Sequence, residues 1–283
     1  MIQTIGKCRD TTDKFYTIPN VASDFCKIIK KKLLICKNDV IIEPSAGNGV
    51  FVRYIESMGC DNLFFYDIEP EHKRVKKQDF LTLQMNIGEN QKCHIIGNPP
   101  FGKQSCLAIH FLKKATQFAD TISFILPKSF KKDSMQNHIN ENFHLIYQKN
   151  VKANSFLVND SLHNVECVFQ IWQKELYKRK KIKIFTTQII EFVKKDDDHD
   201  IVITRVGDKA GGITTNTMMH DKSSPTNYFF IKFNNRNFLD KQIHIMTKFR
   251  YTFDNTVTLR SISKQEIIKK VEKSKTYSEL KLF

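Results

Sequence analysis

Four consecutive residues, Asn98-Pro99-Pro100-Phe101, carry the chemistry most specific to this chain. They follow a short apolar run, Cys93-His94-Ile95-Ile96-Gly97, that reads as a buried strand ending in a rigid loop. Two successive prolines fix φ and remove two backbone donors, so the carbonyls around them face outward without chain partners. An amide, a bare carbonyl and an aromatic face then meet at the end of a strand. Such a group suits an exocyclic amine on a flat heterocycle: two acceptors take the two N–H bonds and the ring stacks on Phe101. Taken alone, the tetrapeptide also fits a plain tight turn, since Asn-Pro commonly begins one.

Upstream stands a second constellation. The β-branched run Val40-Ile41-Ile42 leads into Glu43-Pro44-Ser45-Ala46-Gly47-Asn48-Gly49, and Val50 to Ile55 can continue as a helix. A strand, a Gly-containing turn and a helix let the backbone approach a nucleotide-like cofactor closely. Neither the dinucleotide fingerprint nor a P-loop is present, because no third spaced Gly and no Gly-Lys-Ser/Thr follows. Asp67 closes another apolar run, Leu63 to Tyr66, 18 positions after Gly49. An acidic residue about 20 positions on is placed to accept hydrogen bonds from ribose hydroxyls; by itself it fits a cap or turn equally well. Asp79-Phe80 offers an acceptor for an adenine amine and an aromatic wall.

In order, the chain shows Phe15-Tyr16-Thr17-Ile18-Pro19, the Glu43 to Gly49 stretch, Asp67, Asp79-Phe80 and Asn98-Pro99-Pro100-Phe101. This set resembles the S-adenosylmethionine-dependent N6-adenine methyltransferases of nucleic acids with gamma-type motif order, over residues 13–173. The resemblance implies a Rossmann-like class I methyltransferase fold and S-adenosyl-L-methionine as cofactor. It assigns catalysis to Asn98, Pro99, Pro100 and Phe101. It assigns cofactor binding to Phe15, Tyr16, Thr17, Pro19, Glu43, Pro44, Ser45, Ala46, Gly47, Asn48, Gly49, Asp67, Ile68, Asp79, Phe80 and Asn98. Position 101 is Phe where many relatives have Tyr, so stacking survives and a hydroxyl contact does not. The catalytic loop is shared with glutamine methyltransferases and some cytosine methyltransferases, and so does not by itself name the substrate.

Composition fits a nucleic-acid partner. Among 283 residues the net charge is +15 and the pI about 9.4. The excess is uneven: residues 1–173 hold 22 Lys and Arg against 17 Asp and Glu, and residues 174–283 hold 23 against 13. Lysine-rich surfaces collect phosphate backbones by counterion release; they also serve simply as solvated faces. The seven cysteines show no CxxC pair, which points to a reducing compartment, cytoplasm or nucleus, and away from structural zinc. The polar N-terminus lacks the apolar core of a signal peptide, and no apolar stretch is long enough for a membrane span. Asp196-Asp197-Asp198-His199-Asp200 lacks the Gly and distal Glu of a calcium loop and reads as a solvated turn.

The elements needed to position these residues follow from pattern. Pro19 opens a helix with apolar positions Val21, Phe25, Ile28, Ile29 and Leu33. Strands are expected at 39–43, 62–66, 93–97, 121–126, 142–150 and 165–172, with a helix capped by Ser105 through Phe118 and another from Pro127 to Lys132. Strands alternating with helices predict a mostly parallel sheet covered on both faces, with ligands at the strands' C-terminal ends. The charged stretch 174–182 marks a boundary between a catalytic domain, 1–173, and a small basic α+β domain for target recognition and nucleic-acid binding, 174–283. The second domain is expected to hold strands at 183–192, 201–206 and 227–233, and a helix opened by the capping box Ser263-x-x-Glu266. Gly207 to Asn216, beside Arg205 and Lys209, reads as a long hairpin or as a loop tracking a sugar-phosphate backbone. The motif order points to DNA ahead of RNA; adenosine in RNA, a protein glutamine amide and a non-catalytic binding module are the other readings.

Overall fold

The computed structural model describes residues 14–158, 160–181, 183–215, 224–253 and 260–274. The chain forms two compact units, dividing between Lys181 and Ile182. The first is α/β, as expected. Its elements in order are β1 (Tyr16–Thr17), α1 (Pro19–Lys32), β2 (Val40–Glu43), α2 (Val52–Glu56), β3 (Asn62–Asp67), β4 (Lys76–Lys77), β5 (Cys93–Gly97), α3 (Cys106–Ala115), β6 (Thr121–Pro127), α4 (Asp133–Gln136), β7 (Phe143–Asn150), β8 (Phe156–Val158), β9 (Ser161–His163) and β10 (Cys167–Lys174). Seven strands make one sheet in the order β4-β3-β2-β5-β6-β10-β7. β4, β3, β2, β5 and β6 are parallel, and β10 is inserted antiparallel between β6 and β7. The wholly buried runs of β2, β5 and β6 are what a sheet covered on both faces requires. A small separate sheet, β1-β8-β9, joins the N-terminal segment to a hairpin late in the first unit.

α1 begins with Pro19 at its first position and buries Ala22, Phe25, Cys26 and Ile29, one stripe at the helical period. Phe25 lies flat on Phe169 of β10, centroids 4.2 Å apart and planes 7° apart, which fixes the helix against the sheet. Between β2, β5 and β6, His94 joins the strands through polar contacts: its Nδ1 lies 2.8 Å from Thr121 Oγ1 and its Nε2 3.2 Å from Asp39 Oδ2.

Three local expectations are corrected. Ser105 does not cap α3 with its side chain; it sits at φ +64° beside Gln104 at +54°. The carbonyl of Phe101 accepts the Leu107 and Ala108 amides instead, at 3.1 and 3.3 Å, so the end of the proline loop is tied to the helix start. The stretch after Pro127 is a 3-10 turn (128–131) followed by the four residues of α4, because the Phe130 carbonyl is taken by Gln136 Nε2 and Gln170 Nε2, both at 3.1 Å. The residues 174–181 belong to the first unit. Arg179 donates to the carbonyls of Gln136 (2.7 Å), Ile139 (2.8 Å) and Phe143 (3.0 Å) and lies over Trp172, fastening the charged stretch down.

The second unit contains β11 (Ile190–Val193), β12 (Ile201–Thr204), β13 (Ile213–Thr214), β14 (Tyr228–Phe233), α5 (Leu239–Thr247) and α6 (Lys264–Ser274). Its sheet is antiparallel in the order β11-β14-β12-β13. The first strand starts later than expected, since Phe185 pairs its amide and carbonyl with the Gln265 side chain of α6 at 2.8 and 3.1 Å. The capping box is present: Ser263 Oγ donates to Glu266 Oε2 (2.7 Å) and accepts the Glu266 amide (3.3 Å). β12 and β13 make Gly207–Thr214 a hairpin; Asn216 lies outside the described residues. Asp198 pairs with Arg236 and Lys232, and Asp200 accepts the Phe233 amide, so the acidic run bolts the unit together rather than gathering a metal. Among the described residues no cluster of potential metal ligands occurs, and no helix is long and apolar enough to cross a membrane.

Phe25→Ala removes a fully packed ring and is expected to lower unfolding stability by about 3–5 kcal/mol, read from the midpoint shift in urea at unchanged slope. A loss below about 1 kcal/mol would show that α1 is not held through this stack.

Candidate functional site

The C-terminal ends of β2, β3 and β5 surround a cavity of about 530 Å³. Asn98 stands at its floor, immediately after β5. Its Nδ2 donates to the Phe15 carbonyl at 2.9 Å, and a carbonyl can only accept, so the oxygen end of the amide is turned the other way. That oxygen, Oδ1, is buried and has no hydrogen-bond partner. Ser45 Oγ donates to the Asn98 backbone carbonyl at 3.2 Å, binding the Gly-rich loop to the Asn98–Phe101 loop. The Pro99 carbonyl takes no hydrogen bond from the described residues. Phe101 is nearly buried and faces Phe15, centroids 6.2 Å apart at 26°; Phe15 faces His163 of β9 on the same terms, at 5.8 Å and 26°.

Two further buried oxygens on the cavity wall lack partners, Glu43 Oε2 and Thr17 Oγ1. An unsatisfied buried polar atom costs about 1–3 kcal/mol, and three of them around one cavity mark a place prepared for a polar ligand. Glu43 is almost wholly buried at the end of β2. Burial holds its carboxyl well above the usual carboxylate range, and nearby Asp67 pushes it further. Asp67 steadies the loop: its Oδ2 accepts the Gly47 amide at 2.9 Å and its Oδ1 the Glu69 amide at 2.8 Å. Gly47 has φ +47°, and a Cβ there would meet Tyr16 Cε1 at 3.3 Å. Gly49 has φ +76°, and a Cβ would strike the His72 ring at 2.6 Å. Both glycines are required by backbone angle and by space.

At the rim, Tyr16 Oη donates to Glu71 Oε1 at 2.6 Å, and Lys14 Nζ reaches Glu71 at 3.3 Å and Glu69 at 3.0 Å. Burial first, and then the Glu71 contact, raise the Tyr16 hydroxyl to about 12. These bonds close the N-terminal segment over the end of β3.

The structure brings together Phe15, Tyr16, Thr17, Glu43, Pro44, Ser45, Ala46, Gly47, Asn48, Asp67, Ile68, Asn98, Pro99, Pro100 and Phe101 on one wall. Four expected residues lie off it. Pro19 and Gly49 border a neighbouring shallow depression. Asp79 caps a short turn by accepting the Leu81 amide at 2.9 Å. Phe80 is fully buried behind Phe111, centroids 5.3 Å apart, and Phe111 is the ring that lines the cavity. Sequence reasoning missed Phe111 and Leu107, although their i, i+4 spacing on α3 puts them on one face. It also missed Glu69 and Glu71, which the acidic run after Asp67 could have suggested. Val158 reaches the wall through the pairing of β8 with β1, for which the sequence carries no local signal.

The chain is similar to several known proteins over part of its length. The chain shares 33% identity over 91 residues with the type II methyltransferase M.HincII of Haemophilus influenzae, covering 31% of this chain and 17% of that protein. The match to the type II methyltransferase M.HindII of the same species is of the same extent, at 33% identity, with 16% of that protein covered. The chain thus spans about a sixth of the curated relatives it matches. Among solved structures it is similar to a protein provisionally described as an RNA methyltransferase from Pyrococcus horikoshii (TM-score 0.48, 17% identity, covering 62% of this chain and 93% of that one). Another is a protein provisionally described as a class I S-adenosylmethionine-dependent methyltransferase from Listeria monocytogenes (TM-score 0.44, 11% identity, 62% and 65% covered). A family model described as the EDM2 methyltransferase-like domain matches residues 34–188, more than half of the chain, and the chain belongs to that family.

Proposed function

We propose that this protein transfers a methyl group from S-adenosylmethionine to the exocyclic N6 amine of adenine in nucleic acid, with DNA as the preferred substrate. The observation that carries the reading is the buried, unpartnered Oδ1 of Asn98, whose Nδ2 is spent on the Phe15 carbonyl, in a loop whose Pro99 carbonyl takes no hydrogen bond from the described residues. An aromatic amine presents two hydrogens to two such acceptors. Its nitrogen is a poor nucleophile while its lone pair is delocalised into the ring. Asn98 Oδ1 and the Pro99 carbonyl, accepting both hydrogens, draw that nitrogen toward tetrahedral geometry and free the lone pair. Preorganised acceptors and positioning supply the rate enhancement. Phe101 offers the ring face against which a base lifted from its strand is held.

The residues present fit the cofactor. The cavity wall carries four acidic side chains, Glu43, Asp67, Glu69 and Glu71, and one basic one, Lys14, which suits a ligand bearing a sulfonium and an ammonium group. When bound, S-adenosylmethionine supplies an electrophilic methyl group. Glu43 and Thr17 supply its unpartnered buried oxygens, Asp67 the acceptors for ribose, and Phe111 with Leu107 the apolar wall. Preference for DNA rests on the motif order and on the 91-residue similarity to two type II methyltransferases. The basic second unit, 182–283, is assigned to holding the nucleic acid.

Asn98→Ala is expected to lower methyl transfer by at least about 100-fold while calorimetry still detects cofactor binding; unchanged turnover would sink the assignment. Phe101→Ala is expected to raise the KM for nucleic acid by an amount equivalent to roughly 1–3 kcal/mol with a smaller effect on kcat. Glu43 gives a pH prediction. A carboxyl whose folded pKa is raised binds more protons in the folded state, so its contribution to stability is lost as pH rises above the ordinary value of 4.5. Glu43→Gln should flatten the loss of apoprotein thermal stability as pH rises above 4.5 and weaken cofactor affinity. An identical pH slope in the variant and the parent would contradict the raised carboxyl.

A further inference from the structure

We propose that the catalytic unit itself carries a track for the phosphate backbone, a lysine row running from the Asn98 loop along the sheet edge formed by β6, β10 and β7. The inference rests on the nucleic-acid reading above. Topology places the row. β5 and β6 are parallel and end at Gly97 and Pro127; β10 begins opposite Pro127 at Cys167; and β7 ends at Asn150, opposite Val168. All four ends therefore share one edge of the sheet with Asn98.

On that edge lie Lys103, just past Phe101, then Lys128, Lys131 and Lys132 after β6, and Lys149 and Lys152 at the end of β7. Lys103, Lys149 and Lys152 are exposed. Side-chain contacts join the segments: Lys131 Nζ lies 3.5 Å from Asn150 Oδ1, and Lys128 Nζ 2.5 Å from Glu166 Oε2. The carboxylates in the same segments are Asp133, Asp160 and Glu166, and Glu166 is neutralised by Lys128. The cavity wall on the β2–β3 side has the opposite character, with four carboxylates and one lysine. The acidic character belongs to the cavity wall and suits a cationic cofactor, while the β6–β10–β7 edge beside it suits a linear polyanion. A base drawn into the pocket leaves its own backbone at the pocket mouth, and the lysines extend from there in one direction. Each lysine that neutralises a phosphate releases a counterion, so the track has a signature in the salt dependence of binding.

The test uses the full chain with an end-labelled DNA duplex and its RNA counterpart, reading affinity by fluorescence anisotropy across a salt series. Lys131→Gln, Lys149→Gln and Lys152→Gln are combined in one variant. The control combines Lys37→Gln, Lys92→Gln and Lys113→Gln, which precede β2 and β5 or end α3 and so lie at the opposite edge. The row variant is expected to bind the preferred nucleic acid at least about tenfold more weakly, with the salt slope reduced by about 2–3, and to keep cofactor affinity. The control should keep both affinity and slope. Equal losses in the two variants would overturn the row, leaving net charge alone. No binding of either nucleic acid by the parent protein, despite cofactor binding, would overturn the nucleic-acid reading and the row with it.

Discussion

The hydrogen bond from Asn98 Nδ2 to the Phe15 carbonyl organises the site. It spends the donor end of the amide on the N-terminal segment and leaves the acceptor end for a ligand. It also ties together parts of the chain that are far apart in sequence: the end of β5, the segment leading into α1, and, through β1 and β8, the hairpin whose Val158 lines the cavity. Pro99 and Pro100 keep the loop from relaxing into a helix that would capture the free carbonyls. On the far side, the Phe101 carbonyl receives the first amides of α3. The Asn98–Phe101 loop is therefore clamped at both ends, and its unsatisfied acceptors persist because the surrounding structure leaves them nothing to pair with.

The same logic separates the roles of the acidic residues. Asp67 is engaged with the backbone of the loops it steadies, and holds the Gly47 turn open toward the cavity. Glu43 has no such partner, and its burial favours the neutral form of its carboxyl. Two carboxyls at the ends of adjacent strands thus differ in surroundings: one has amide donors and the other has none.

Much of the first unit was legible from residue order. The central strands were readable because a strand buried on both faces must be a short apolar run bounded by turn formers, as with Val40–Glu43, Cys93–Gly97 and Thr121–Pro127. The site was readable because such strands deliver their ligands at one end. What escaped depended on contacts distant in sequence or on competition for a backbone group. Ser105 looked like a cap, yet the Phe101 carbonyl had taken that place. The charged run 174–182 read as a boundary, and the division falls at its far end, where Arg179 has found three carbonyls at the edge of the first unit. Residues 183–189 had strand composition, but Gln265 took the Phe185 backbone. Phe80 was expected at the cavity and stands one layer behind it, because Phe111, from a helix whose register the sequence left loose, occupies the wall.

The central claim is that the free acceptors of Asn98 and Pro99 are matched to the amine of adenine. The most direct measurement is a single competition reaction containing the protein, methyl-labelled S-adenosylmethionine, unmethylated duplex DNA, total RNA and soluble protein, followed by complete digestion and mass spectrometry. The account predicts label on N6-methyldeoxyadenosine. Label on a glutamine side chain or on cytosine, with none on adenine in either nucleic acid, would contradict it.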